Sequence, residues 1–249
     1  DRDLQDEGMA KMHALERFRS NFISNVAHEI RTPATGILGA AEMLADDADN
    51  LDRHDRAELR NVLKSHSARL AALVDDILTL AGLEKAEAAQ NVELYPCNVE
   101  DIVQTAVGLA LPAARKAGLS LRFARKQADA RPLVRPCDAR LVEHAISNLV
   151  ENALRYSGSP DIVLSLATRG GKAILAVEDH GVGIPPEHRD RIFERFYRVD
   201  KSRSKATGGT GLGLAIVKHI CEQHHAALML KSAEGIGTEI TVCFPAENT

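Results

Sequence analysis

Between about Gly8 and Ala88 the chain nowhere alternates with the two-residue period of a strand, and its apolar residues recur at helical spacing instead. Leu15, Phe18, Phe22, Val26, Ile30, Ile37, Ala41 and Leu44 stand at steps of three, four or seven, the stripe of an amphipathic helix. The polar break DDADNLDRHD follows, with Asp and Asn suited to ending one helix and capping the next. A second stripe then runs through Leu59, Val62, Leu63, His66, Leu70, Leu73, Val74, Ile77, Leu80 and Leu83. Two long helices joined by a short turn form an antiparallel hairpin. A lone hairpin leaves both stripes half covered, and pairing two of them into a four-helix bundle buries the rest. A homodimer is therefore predicted.

The texture changes across KAEAAQNVELYPCNVED, within which residues 89–97 read as a linker. Beyond it, helices are predicted at Val99–Ala117, Asp138–Leu154 and Leu212–His224. Strands are predicted at Leu119–Ala124, Ile162–Thr168, Lys172–Asp179, Ala227–Ser232 and Thr238–Phe244. The two central strands are separated only by RGG, a hairpin signal. Strict βαβ alternation is absent, so the expected class is α+β: a helical hairpin over residues 1–88, then an α/β sandwich with a mixed sheet over 98–249.

With 45% hydrophobic residues the chain has enough apolar material for a real core. Its 31 basic and 35 acidic residues leave a charge of −4, which argues against a chain-wide nucleic-acid or lipid surface. Cys97, Cys137, Cys221 and Cys243 form no CxxC pair and read as reduced, partly buried thiols. No run approaches the ~18 apolar residues of a membrane span. The polar, helical opening DRDLQDEGMAKMHALERFRS reads as a cut inside a longer protein, so any membrane attachment is expected upstream.

The first chemical site lies on the first helix, in FISNVAHEIRTP. At ~100° per residue His28 sits about 200° from Val26, away from the apolar stripe, with Thr32 on its own face. Glu29 is placed to orient the imidazole or accept its proton, making the other ring nitrogen a nucleophile. Pro33 withholds a donor from the Glu29 carbonyl, so a kink is expected there. A zinc-protease HExxH is excluded, because Thr32 stands where the second His belongs. An isolated His-Glu pair on a helix would otherwise read as an ordinary surface feature.

The second site draws on three segments. In NLVENALRYS, Asn148 and Asn152 are four apart and share a helix face, and their carboxamide oxygens suit a hydrated Mg²⁺ bridging phosphates. Arg155 is placed to neutralise phosphate and Tyr156 to flank a base. In DHGVGIP, Asp179 ends a strand as a carboxylate able to accept from an adenine amino group, beside glycines that let a ligand approach the backbone, although taken alone the motif reads better as a plain turn. GGTGLGLA feeds glycines into a helix N-terminus, a phosphate cradle, with no Lys-Ser/Thr of a P-loop after it. Between the last two, RIFERFYR is followed by a basic, small-residue stretch with Lys201, Arg203 and Lys205 that suggests a lid over an anion, or else a solvated charged loop. His219, His224 and His225 near a helix end favour surface or capping roles over a metal site.

These motifs together resemble the transmitter module of bacterial two-component sensor histidine kinases. FxxxVAHEIRTP is similar to the family's H box, NLVENALRYS to its N box, DHGVGIP to its G1 box, RIFERFYR to its F box and GGTGLGLA to its G2 box. Gly235-Ile-Gly237-Thr238 is similar to a Gly-x-Gly-Thr near the end of the ATP-binding domain. The resemblance implies that His28 is the phosphoacceptor, Glu29 its acid/base partner, and Thr32 the residue orienting water for removal of phosphate from the partner. It implies that Asn152, with Asn148 beside it, holds Mg²⁺, that Asp179 reads adenine, and that ATP is the substrate. Gly181, Gly183, Gly209, Thr210, Gly211, Leu212, Gly213 and Thr238 would surround the nucleotide with Arg155 and Tyr156. The implied partner is a response-regulator receiver domain, and the implied setting is the cytoplasmic portion of an inner-membrane sensor. Three positions depart from the pattern: His180 stands where Asn is usual, Ala34 where Leu is common, and Arg155 where Lys is frequent. A chaperone- or topoisomerase-type ATPase has no use for the outward His-Glu hairpin. A non-catalytic scaffold would not need Asn152, Asp179 and the glycine loops.

Overall fold

The structure, a computed structural model, describes residues 2–46, 51–89, 93–126, 133–199 and 209–246, with the side chains of 2–15, 17–19 and 87–89 left aside. Lys201, Arg203, Lys205 and Gly208 therefore lie outside the described residues, and the predicted lid with them. The chain divides into two compact units, Asp1–Asp75 with residues 208–210, and Asp76–Thr207 with Gly211–Thr249. The division falls within the second long helix, ahead of the boundary at residue 88 read from the sequence.

The first unit is built from α1 (Arg2–Asp46) and the greater part of α2 (Arg53–Ala89). The helices run antiparallel, since Glu29 meets Arg69 while Gly36, further along α1, meets His66, earlier on α2. Pro33 and Ala40 are buried on α1 and Leu73 on α2, while Phe22, Val26, Ile30 and Ile37 are only half-buried within one chain. α1 continues through Pro33 to Asp46, so the proline does not end the helix.

The second unit contains a five-stranded sheet in the order β2-β4-β5-β7-β6. Its strands are β2 (Ser120–Arg125), β4 (Asp161–Arg169), β5 (Lys172–Asp179), β6 (Ala227–Ala233) and β7 (Gly237–Phe244). β2 runs parallel to β4 and the other neighbours are antiparallel, giving the mixed sheet that was expected. Gly170 and Gly171, both at positive φ (57° and 75°), turn β4 into β5, as a two-residue hairpin of this twist requires. The helices α3 (Val99–Lys116), α4 (Ala139–Tyr156) and α6 (Gly213–Gln223) complete the sandwich. Val142, Ala145, Ile146, Leu149, Val150 and Ala153 form the buried face of α4, at steps of one, three and four. The first four of them meet Leu175, Val242 and Phe244 of the sheet and Ile220 and Cys221 of α6 around a cavity of only ~10 Å³.

Three elements were not read from the sequence. β1 (Tyr95–Asn98) and β3 (Val134–Cys137) pair as a separate antiparallel ribbon, with Pro96 opposite Pro136. Proline cannot donate to a ladder, which hides such a strand from a propensity reading. A single helical turn, α5 (Pro186–Arg189), follows the first glycine loop. The four cysteines are free, and burial above all pushes the Cys137 and Cys221 thiols up to about 12, so both stay protonated and inert.

Candidate functional site

The helical unit presents His28 to solvent, while Val26, two positions before it, is half-buried. The imidazole thus points away from the packed side, as the 3.6-residue period dictates. Glu29, one step further round, faces α2. Its Oε2 accepts from Nη2 of Arg69 at 3.1 Å, in a crevice where the side chains are 17% and 10% exposed. Thr32 Oγ1 donates back to the carbonyl of His28 at 3.3 Å. Arg69 was missed in the sequence because nothing local connects it with a residue 40 positions away.

In the second unit most of the remaining predicted residues stand on α4, at the end of β5 and at the start of α6. Asp138 caps α4, accepting from the N–H groups of Arg140 (2.9 Å) and Leu141 (3.2 Å). With one face of α4 committed to the core, Asn152 and Arg155 lie on the less buried side. Arg155 pairs with Glu151 at 3.0 Å and Tyr156 is exposed. Asn148 is a different case: its Nδ2 is buried with no hydrogen-bond partner among the described residues. A buried amide left in this way is costly unless something else satisfies the carboxamide, and turning it over brings its oxygen to the same point. Gly213, opening α6, approaches that carboxamide so closely that a Cβ there would stand 3.2 Å from Asn148 Oδ1. The N-box helix and the second glycine loop are thus brought together.

Asp179 ends β5 and is 8% exposed. Burial raises its carboxyl above the usual carboxylate range, while backbone N–H groups of Gly181 and Thr238 pull it down. Gly181 N donates to Asp179 Oδ1 at 2.9 Å. Gly181 has no room for a side chain, since a Cβ would fall 1.8 Å from the carbonyl oxygen of Ser157. Val182 N reaches that same carbonyl at 2.7 Å, and Gly235 N reaches Val182 O at 2.8 Å, so the loop carrying Gly183 is pinned on both sides. Thr238 stands opposite Asp179 in the β5–β7 ladder, its hydroxyl 2.9 Å from Ser232 Oγ. His180 is exposed, with Nε2 3.4 Å from Glu178 Oε1.

Gly211 O accepts from Phe196 N at 2.7 Å, joining the F-box segment to the second glycine loop. Leu212 is fully buried at the N-cap of α6 and supplies no side-chain acceptor to the helix's first turn. Gly209 and Thr210 are grouped with the first unit.

Ser159 was not anticipated. It is buried, donates to Asp161 O at 2.7 Å and accepts from His180 N at 3.3 Å, which fixes the backbone just after Asp179. Of the three late histidines, His224 departs from a surface or plain capping role. It is buried, its Nε2 accepts from Asp138 N at 2.9 Å, and its Nδ1 lies 2.7 Å from Ile220 O. It therefore ties the end of α6 to the cap of α4. His219 Nε2 lies 3.1 Å from Arg195 Nη2.

A buried carboxylate at a strand end, glycine loops closed to side chains and a glycine-led helix N-terminus beside Asn148 define a nucleotide-binding α/β sandwich, borne on a chain with an outward-facing helical histidine. Residues 137–248 match the family described as histidine kinase-, DNA gyrase B-, and HSP90-like ATPase, and residues 18–86 match the His Kinase A (phospho-acceptor) domain. The chain belongs to the sensor histidine kinases of two-component systems and is their transmitter core. It is 39% identical over 233 residues to the sensor-like histidine kinase SenX3 of Mycolicibacterium smegmatis, covering 93% of this chain and 58% of that relative. It thus spans little more than half the length of that protein. Among solved structures, the Acinetobacter baumannii histidine kinase AdeS superposes with a TM-score of 0.66 at 25% identity, over 89% of this chain and 98% of that one. Full-length ShkA in complex with AMPPNP gives a TM-score of 0.62 at 26% identity, over 91% of this chain and 46% of that one.

Proposed function

We propose that this chain uses ATP to phosphorylate its own His28 and passes the phosphoryl group to an aspartate of a response-regulator receiver domain. The observation that carries the reading is the exposed imidazole of His28 beside the inward carboxylate of Glu29. One ring nitrogen of His28 attacks the γ-phosphorus in line, the bond to the β-phosphate oxygen breaks, and ADP leaves. Glu29 takes the proton from the other ring nitrogen. In the second step a carboxylate oxygen of the receiver aspartate attacks the phosphorus, and the N–P bond to His28 breaks.

Asp179 accepts a hydrogen bond from the adenine amino group, the loop at Gly181 and Gly183 lies under the base, and the N-terminus of α6 faces the phosphates. The AMPPNP complex of ShkA supports a nucleotide as the ligand. Asn152 and Asn148 would hold Mg²⁺. The buried unpartnered amide of Asn148 and the neutral oxygen donors of this pair fit a hydrated magnesium ion bound to phosphates. When bound, the ion neutralises charge on the β- and γ-phosphates. Arg155 and Tyr156 flank the ligand, and Gly209, Thr210, Gly211, Leu212, Gly213 and Thr238 complete its surroundings.

The hairpin dimerises as a four-helix bundle, and the receiver domain docks against the hairpin on the surface that carries His28 and Thr32. Phosphatase activity toward the phosphorylated regulator is a second part of the proposal, with Thr32 placing the attacking water. Its hydroxyl has a single proton, engaged at the His28 carbonyl, so in this arrangement it receives the water as an acceptor. Among the described residues no helix is long and apolar enough to cross a membrane, and we place any membrane attachment in a longer protein of which this chain is the cytoplasmic transmitter.

The test is incubation with γ-labelled ATP and Mg²⁺ beside the variant His28→Gln. Acid-labile, alkali-stable label on the protein and none on the variant is the expected outcome. Equal label on both would overturn the assignment of His28.

A further inference from the structure

We propose that Arg69 is a positioning residue for the phosphoacceptor site, holding the Glu29 carboxylate on the hairpin's inner side so that it serves His28 as an ordered base. The inference rests on the reading that Glu29 takes the His28 proton.

Glu29 and His28 are successive residues of one helix, so their side chains leave it ~100° apart. A Glu side chain has three rotatable bonds, and a free one samples many positions in which its carboxylate is useless to the neighbouring imidazole. Arg69 narrows that choice. Its Nη2 donates to Glu29 Oε2 at 3.1 Å, and both side chains are largely covered, at 10% and 17% exposure. The Arg69 backbone belongs to α2, so the carboxylate is referenced to a second rigid element and not only to its own flexible stem.

The neighbouring contacts reinforce this. One helical turn before Arg69, the imidazole of His66 packs directly against Gly36 of α1, where a Cβ would fall 2.6 Å from Nε2. Leu73, one turn after Arg69, is buried. The cation is therefore held between two packed layers of the hairpin. A surface ion pair of long side chains contributes little, because ordering them offsets the attraction. A largely covered pair set between packed turns pays that ordering during folding, before the reaction begins, and leaves the carboxylate already placed when ATP arrives. The positive charge also compensates the carboxylate close to where the polyphosphate must approach. Lysine is a poorer substitute, since it lacks the planar fork that sets the direction of a carboxylate.

The role predicts a particular pattern of kinetics in the 249-residue chain, read as the initial rate of His28 labelling over a range of ATP concentrations. Arg69→Gln lowers the maximal rate about tenfold and leaves the KM for ATP within about twofold, because no nucleotide contact is lost. Arg69→Lys recovers a large part of the rate. Glu29→Gln lowers the rate by itself, and adding Arg69→Gln to it lowers the rate no further, since the residue through which Arg69 acts is already disabled. Thermal melting and sedimentation accompany each variant. The double variant Glu29→Gln/Arg69→Gln, free of an unmatched charge, keeps the comparison open if Arg69→Gln alone does not fold. A slow Glu29→Gln with an unimpaired Arg69→Gln overturns the role of Arg69 alone. A further fall of about tenfold in the double variant also overturns it, by showing an action independent of Glu29. A full rate in Glu29→Gln removes the base reading and the positioning role together.

Discussion

Burial of Asp179 and the backbone N–H groups that reach it act in opposite senses, and burial prevails, so its carboxyl titrates above the ordinary Asp value of 3.8. Below pH 3.8 the group is protonated whether the domain is folded or not. As pH rises through the interval up to the folded value, the unfolded chain ionises first and the fold loses stability, a loss that persists at neutral pH. Asp179→Asn is therefore expected to raise the melting temperature of the nucleotide-free protein at about pH 7, with the difference vanishing at about pH 3–4. The same variant weakens binding of a fluorescent ATP analogue by at least about tenfold, since an amide nitrogen turned toward adenine repels its amino group. Scanning calorimetry and a binding titration check the two halves separately. Gly181 is constrained by a different force, steric exclusion by the Ser157 carbonyl. Backbone cannot yield as a side-chain tip does, so Gly181→Ala should destabilise the second unit by about 1–3 kcal/mol, a fall of several degrees in the melt, and abolish nucleotide binding.

Between elements, two histidines hold helices in register by opposite means. His66 of α2 fills the space left by Gly36 of α1. Gly36→Ala gains about 1 kcal/mol of helix propensity yet sets its methyl against the ring, so it is expected to lower the melting temperature. Adding His66→Ala should restore and exceed the starting value, a reversal that a thermal melt reads directly. His224 joins α6 to α4 as a neutral ring, accepting from Asp138 N at Nε2. Burial lowers its pKa below the ordinary His value of 6.5, because a protonated ring would lose its water. Below 6.5 the unfolded chain takes up a proton that the folded chain refuses, so stability falls as pH drops from 6.5 toward the folded value and is fully present above 6.5. His224→Gln should be less stable at about pH 7.5 and should lose this part of the acid dependence, measured as melting temperature from about pH 7.5 to about pH 5.

For the whole molecule the open question of stability lies in the hairpin. Phe22, Val26, Ile30 and Ile37 remain half-buried, and Leu38 is 59% exposed on the same helix. Apolar area left on two long helices is covered most economically by a second copy, which is the burial argument for a four-helix bundle. Sedimentation equilibrium is expected to give a dimer of about 54 kDa from the 27.0 kDa chain. Leu38→Glu should shift that equilibrium toward monomer while the second unit keeps its nucleotide affinity, because Leu38 belongs to the other compact unit.

The sequence by itself determined the helical hairpin, the position of the β4–β5 turn at Gly170 and Gly171, and most of the candidate site. Those features follow from local rules: the period of apolar residues, the φ angles open to glycine, and residue types at fixed spacing along one helix face. His28 faces outward because Val26 faces inward, and Asn148 and Asn152 share a side because they stand four apart. Only the tertiary structure decided which distant groups meet. Nothing near Glu29 announces Arg69, nothing near Gly181 announces a carbonyl oxygen that every residue possesses, and 86 positions separate His224 from Asp138. β1 and β3 stayed hidden for a related reason, since Pro96 and Pro136 look like strand breakers until each is seen opposite the other in a two-stranded ribbon. Periodicity reports which face of an element is buried, and packing alone selects what it is buried against.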